Sequence, residues 1–377
     1  MSSDSSSTSP LIEKQVTPRN LSKGLPGRTA DPKRSTAGAH RPRVTIVNPL
    51  GAQFYEDLSP EFLDECIELG IGVVGCTADL TWDDTLEAME NLQSVKRVIE
   101  GHPNAYVLRS RAELESIPVG RVGVLLGLQN PKPFSDSTNF LEAFIDMGLR
   151  CSTLALRENT YYGCGFASAN DSGLSPMGSR AVKLMNKRGV VLDLSHSGDK
   201  TAADALALSD HPAIFSHSLS RAIISEKPTA DFAGLAGGAA LRAAPDELIV
   251  AAAEKGGVFC PDVRLAGSIE AFLKHVEHAV RLVGADHVGV CAQDDWKRSA
   301  RDARRMQPYR PGFGSESGKD SSAFPTDHRI HRMQDQLGPS ALAATQVEAQ
   351  LRTRYSNADT AKIMGGNMLR VLRAVLQ

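Results

Sequence analysis

Two Ser-His pairs carry the chemistry in this chain. Ser195-His196 closes the apolar run Val190 to Leu194, and Ser216-His217 closes Ala213 to Phe215, with a helical-looking interval, Thr201 to Leu208, between them. Each run has strand length, so the pattern reads as strand, Ser-His, helix, strand, Ser-His. In an α/β barrel the residues just past the carboxyl ends of neighbouring strands face one shared mouth, where two such histidines could meet over a common ion or substrate. Two neutral imidazoles begin a zinc site without completing it, because zinc takes four protein ligands, or three and a water. A single histidine at a strand end often only satisfies backbone. Its repetition at consecutive strand ends points to a shared site.

The elements that would position these residues alternate regularly. Order is expected from Val44 to Val47, the first strand, followed by Asn48-Pro-Leu-Gly-Ala52. Ser59-Pro60 supplies an N-cap and a first-turn proline for a helix through Leu69. Strands are expected at Gly72 to Cys76, Arg121 to Leu126, Cys151 to Leu156, Gly257 to Cys260 and His287 to Ala292, and helices at Asp83 to Glu100, Asn139 to Met147, Met177 to Lys187 and Ile269 to Val283. Near eight such units predict a parallel sheet with helices outside it, closed as a (β/α)₈ TIM-type barrel. A last helix is expected to start near Asn357-Ala-Asp359 and to carry Ile363 to Leu372.

Residues 1–43 are rich in Ser, Thr, Pro, Gly and basic side chains without apolar periodicity, the composition of a disordered tail. Residues 44–377 are expected to form a single barrel domain with an insertion loop around 297–324, whose cluster Lys297, Arg298, Arg301, Arg304, Arg305 and Arg310 reads as a solvated basic face. With 377 residues, 41% of them hydrophobic, the chain can bury a large core, and a net charge of −2 offers no case for nucleic acid or an anionic membrane. Six scattered cysteines without a Cys-x-x-Cys pair read as buried, reduced thiols of a cytoplasmic protein. No run of eighteen apolar residues suggests a membrane span.

From about residue 44 onward the chain resembles the membrane (renal) dipeptidase family of zinc peptidases. The matching stretches are Gly173-Leu-Ser-Pro-Met-Gly178, Met185-Asn186, Gly189-Val-Val-Leu-Asp-Leu-Ser-His196, Pro212-Ala-Ile-Phe-Ser-His-Ser218, Asp246-Glu-Leu-Ile249, Lys255-Gly-Gly257, Gly284-Ala-Asp-His-Val-Gly289 and Lys362-Ile-Met-Gly-Gly-Asn367. The resemblance implies a metal-dependent hydrolase of barrel fold, a homodimer, and two zinc ions bridged by a glutamate that serve hydrolysis of a dipeptide or a β-lactam. It assigns metal ligation to His196 and His217, and binding of the substrate carboxylate to Arg242, a planar and permanently charged fork. Arg157 and Asn159, near the position of a substrate-contacting histidine, join the substrate group.

Several family positions differ. The first strand should end in Asp-Gly-His-x-Asp and instead runs Asn48-Pro49-Leu50-Gly51-Ala52. The bridging glutamate falls at Gln129, a neutral amide that binds zinc poorly. The substrate-contacting histidine falls near Leu156, and the acid of the last strand falls at Gln293, with Asp294 and Asp295 following at once. These departures imply at most one ion, from His196, His217 and Asp294 or Asp295 with Gln129 beside them, or no metal at all. The leading expectation is a metallohydrolase acting on a dipeptide or similar small-molecule amide. Two others stay open: non-hydrolytic or metal-free chemistry on a small carboxylate metabolite, in which Asp193, Arg157, Glu158 and Arg242 would matter more, and a catalytically inactive binding protein.

Overall fold

The computed structural model describes residues 45–47, 53–54, 58–79, 83–224, 242–291 and 340–377. They belong to one compact unit, Pro42–Gln377. The tail 1–43, residues 48–52 and 292–339, and with them Asp294, Asp295 and the expected insertion loop, lie outside the described residues.

The chain is an α/β barrel of parallel strands. β1 (Thr45–Val47), β3 (Ile71–Thr77), β5 (Val122–Leu128), β6 (Leu149–Thr153), β7 (Val191–Asp193), β8 (Ile214–Ser218) and β9 (Val258–Pro261) pair in that order. Two short strands, β2 (Gln53–Phe54) and β4 (Ala105–Val107), join β3 and β5 from the side. The eighth position is taken by residues 288–291, through the parallel bridges Phe259↔Val288 and Asp262↔Cys291.

Alternation along the strands sorts two apolar clusters. Val73, Leu125, Cys151, Val191, Ile214, Val258, Cys260 and Cys291 form the inner one, joined by Met368, Val371, Leu372 and Val375 of the helix Asn367–Val375. Their neighbours Val74, Leu126, Leu192, Phe215 and Phe259 pack outward with the surrounding helices. By the same period of two, Asp193 follows Val191 and Ser216 follows Ile214 on the inner face.

Local chemistry sets the helix ends. Ser59 Oγ accepts from Phe62 N ahead of Pro60–Glu68, and Asp84 with Glu87 forms a capping box for Thr85–Gly101. Gly189, in the left-handed region at φ +66°, ends Pro176–Arg188 and turns the chain into β7.

Three sequence expectations are corrected. Residues 287–292 were expected as a strand, whereas Ala285–His287 is a 3₁₀ turn and only the bridges at Val288 and Cys291 are sheet-like. The last helix is capped by Ser356 and breaks at Gly365, whose φ of 152° no ordinary helical residue adopts. His217 lies inside β8 and not beyond its end.

Candidate active site

β7 and β8 build the site jointly. The strand end at Asp193 is followed by Leu194, Ser195 and His196, with Ser197 N donating to Leu194 O (3.2 Å) to close a tight turn. His196 sits in the left-handed region at φ +69°. A histidine tolerates that region better than most residues, but the conformation costs about 1–2 kcal/mol, so the surroundings must hold it there. On β8, register against β9 shifts between Phe215 and Ser218, the stretch that carries Ser216 and His217.

The two imidazoles converge. His196 Nε2 and His217 Nε2 stand 2.8 Å apart, with ring centroids 4.8 Å apart and planes inclined at 63°. The Arg242 guanidinium donates from Nη2 to His196 Nε2 (3.1 Å). Beneath them is a chain of hydrogen bonds: His217 Nδ1 to Ser216 Oγ (2.6 Å), and Ser216 Oγ to Asp193 Oδ2 (2.5 Å). Asp193 Oδ1 accepts from Ser195 N (3.0 Å) and Ser216 N (3.1 Å), while Ser195 Oγ accepts from His217 N (3.1 Å). Asp193 is fully buried; burial pushes its carboxyl pKa up, and the hydrogen bonds from Ser216 and Ser195 oppose that rise. Its charge adds to burial in holding the Cys151 and Cys260 thiols above their ordinary range, so both stay protonated.

Gln129 is turned away from these histidines' hydrogen bonds. Its Nε2 donates to Thr77 Oγ1 (3.0 Å), its backbone N donates to Asp79 Oδ1 (2.8 Å), and its carbonyl accepts from Thr153 Oγ1 (2.6 Å). Asp79 Oδ2 also accepts from Asn130 N (2.9 Å), so this buried carboxylate clamps the end of β5. Arg157 is half-buried and Asn159 exposed on the loop after β6. The loop folds back at Ala167 N to Arg157 O (2.8 Å), and Gly165 is required there because a Cβ would meet the Arg157 carbonyl carbon at 2.5 Å. Phe166 N donates to His196 O (2.8 Å), and the Phe166 and His196 ring centroids are 5.9 Å apart. The loop carrying Arg157 and Asn159 therefore reaches the edge of the histidine pair.

The structure thus brings together His196, His217 and Arg242, places Gln129 two strands away around the mouth, and leaves Asp294 and Asp295 outside the described residues. Sequence reading missed the Asp193–Ser216 link, Asp79 and Phe166. The first was legible from the period of two running Val191, Asp193 and Ile214, Ser216; the others follow from loop folding that no local pattern announces.

A zinc–nitrogen distance of about 2.0–2.1 Å puts two nitrogens on one tetrahedral ion roughly 3.3 Å apart. The pair stands at 2.8 Å, closer than that spacing, and Ser216 Oγ lies 2.6 Å from His217 Nδ1. His196 and His217 supply two nitrogens, and among the described residues no group of three or more His, Cys, Asp or Glu side chains could hold an ion.

An α/β barrel with paired histidines and a cation at its mouth defines the class. The comparisons define the family: the membrane dipeptidase family (peptidase family M19) matches residues 73–297, and the chain belongs to it. A dipeptidase of Claviceps purpurea, tcpJ, is 27% identical over 78% of this chain and 60% of its own length. Dipeptidase 3 of Rattus norvegicus is 23% identical over 77% of this chain and 52% of its own length. The chain thus spans between half and two-thirds of these relatives. Among solved structures, an amidohydrolase from Pseudomonas aeruginosa matches with a TM-score of 0.70 at 21% identity, covering 89% of this chain and 97% of that one. A metallopeptidase from Rhodobacter sphaeroides, solved with a phosphinate mimic of the dipeptide L-Ala-D-Ala, matches with a TM-score of 0.62 at 17% identity, covering 83% and 89%. At these identities the likeness shows the fold. No helix among the described residues is long and apolar enough to cross a membrane.

Proposed function

We propose that this chain is a dipeptidase-like metallohydrolase that cleaves a dipeptide or similar small amide with at most one divalent ion, zinc in the first instance. The observation that carries the reading is the convergence of His196 and His217 at 2.8 Å beside the Arg242 guanidinium. His196 and His217 would hold the ion, with Asp294 or Asp295 completing its ligands. Bound there, the ion supplies a lowered water pKa and polarisation of a carbonyl. Arg242 fits a free carboxylate through a bidentate fork, and Arg157 and Asn159, on the loop beside His196, supply further contacts to the substrate. Gln129, its amide spent on Thr77, contributes shape and not charge. Membership of the dipeptidase family supports this assignment, as does the dipeptide mimic bound by the Rhodobacter relative. Six free, buried cysteines support a cytoplasmic setting, and the homodimer rests on the family resemblance alone.

The test is elemental analysis of the purified protein and of His196→Ala/His217→Ala, followed by a dipeptide screen with and without chelator. About one ion per chain, lost in the double variant together with chelator-sensitive hydrolysis, is the expected result. Failure to take up zinc, manganese or iron on loading would overturn the reading. It would favour the second one, metal-free chemistry on a small carboxylate or simple binding, which the absence of a third His, Cys, Asp or Glu around the pair among the described residues supports.

A further inference from the structure

We infer that Arg221 is the positioning residue that holds Arg242 over the histidine pair, by tying the segment that carries Arg242 to the turn that carries His196. The carboxylate-binding role of Arg242 rests on the function proposed above; its placement by Arg221 does not.

Arg242 and His196 arrive on different parts of the chain. His196 stands in the turn after β7, and three residues on Asp199 opens the helix Asp199–Leu208. That turn is pinned from its other side, since Phe166 N donates to His196 O (2.8 Å) and Gly198 N to Cys164 O (2.8 Å). Arg242 stands where the chain returns after β8. There Ser220 bridges Ala244 in parallel, Ala244 N donates to Leu219 O (2.9 Å) and Arg221 N donates to Ala244 O (2.9 Å). This short pairing sets the return segment along the β8 exit. Holding it toward the β7 turn takes a contact across the gap.

The Arg221 side chain makes that contact. Its guanidinium donates end-on to Asp199, from Nη1 to Oδ2 (2.7 Å) and from Nη2 to Oδ1 (2.8 Å). It donates side-on to the Ala243 carbonyl, from Nε (3.0 Å) and Nη2 (2.7 Å). One rigid plane therefore joins the residue after Arg242 to the residue three after His196. A guanidinium suits this task because its N–H groups lie in a fixed fork with two usable edges, whereas an ammonium is a point donor. As an ion pair the contact adds little, the two side chains being 33% and 52% exposed. Its value is geometric. Ala243 is buried, and fixing its carbonyl aims the preceding residue, whose Nη2 donates to His196 Nε2 (3.1 Å).

The test compares wild type with Arg221→Ala, Asp199→Ala, Arg242→Ala and the double variant Arg221→Ala/Arg242→Ala. Crystal structures of wild type and Arg221→Ala read the placement. The ratio of KM for L-alanyl-L-alanine to that for its C-terminal amide reads the consequence. In Arg221→Ala the Arg242 guanidinium should leave His196 by about 1 Å or more, a displacement that is costly in a positioned site. Preference for the free acid should fall about 10-fold, the lower end of what a charged hydrogen bond is worth. Asp199→Ala should lower it too, although removing a negative charge would by electrostatics alone raise it. In the Arg242→Ala background, Arg221→Ala should change the preference by less than about 2-fold, because nothing is left to position. An unmoved Arg242, an equal loss of preference in both backgrounds, or an unchanged or raised preference in Asp199→Ala overturns the inference. Should Arg221→Ala fail to fold, Asp199→Ala replaces it in the crystal and in the double variant under the same criteria. If wild type hydrolyses neither compound, or does not distinguish them, the carboxylate reading of Arg242 falls and the crystal structures decide the placement: a displaced Arg242 upholds it and an unmoved one overturns it.

Discussion

His275 should make this protein acid-labile in a defined window. It lies on the helix Ile269–Val283, nearly fully buried, and its Nδ1 accepts from Ser220 N (3.1 Å). Burial, then the nearby His278, lowers its pKa to about 4 from an ordinary 6.5. Ser220 is no bystander: it bridges Ala244, Arg221 N donates to Ala244 O (2.9 Å), and Ser218 Oγ donates to Arg242 O (3.3 Å). A neutral His275 thus braces the segment that presents Arg242.

The native state keeps this imidazole unprotonated where the unfolded chain has already taken up a proton. Stability is therefore full above pH 6.5, falls as pH drops through that value, and levels off below about 4. A shift of about 2.5 units at 1.36 kcal/mol each corresponds to roughly 3 kcal/mol in all, of which about 2 kcal/mol should be gone by pH 5. His275→Asn retains an acceptor for Ser220 N and does not titrate. It should be less stable at pH 7 through lost packing, yet lose about 2 kcal/mol less than wild type between pH 7 and pH 5. Urea unfolding of both proteins at the two pH values gives the double difference. Equal losses in the two proteins would refute the assignment of this titration to His275.

Other perturbations follow from named contacts. Arg242→Ala should raise KM for substrates with a free carboxylate by roughly 10- to 100-fold, the worth of a charged hydrogen bond, and leave C-terminally amidated ones nearly unaffected; equal losses on both would deny the carboxylate role. Asp79→Asn replaces one acceptor of the Gln129 and Asn130 backbone amides with a donor, so a loss of about 1–3 kcal/mol is expected by denaturant unfolding. Gly178→Ala would put a Cβ 2.0 Å from the Tyr162 carbonyl oxygen, a backbone atom that cannot swing aside, and a loss of at least about 1–3 kcal/mol should be visible in thermal melts.

Where the sequence was legible, the reason was local. Ile269–Val283 was read at both ends because Ser268 caps it, its Oγ accepting from Ala271 N, and Gly284 at φ +80° stops it. The three-residue β4 escaped notice because it is held only by pairing with β5, a tertiary contact. β8 was read too short for a different reason. Ser216-His217-Ser218 looks like a polar strand exit, yet these residues belong to the strand because the barrel interior supplies each with a partner. The same tertiary satisfaction hid the role of Asp193, which in a linear reading is one acid in an apolar run. The histidine pair was legible because it needs only two adjacent strand ends; Arg242 came from resemblance, and its place beside His196 depends on how the chain returns to Ala244.

Charge balance supports the proposal of at most one ion at this mouth. A second dication needs neighbouring carboxylates, because the field of two such ions in a partly dry cleft is not offset by neutral groups. The described acids lining this end of the sheet are committed to the chain itself: Asp79 to the amides of Gln129 and Asn130, Asp193 to Ser195 and Ser216, and Asp262 to the amide of Leu265 (3.1 Å) and the thiol of Cys291 (3.8 Å). Each such bond would be lost if the acid swung out to a metal. Gln129, where the family resemblance places a bridging glutamate, has its amide on Thr77 and brings no charge. His196 and His217, by contrast, turn their Nε2 atoms to each other, and Asp193 reaches His217 through Ser216 without leaving its amides.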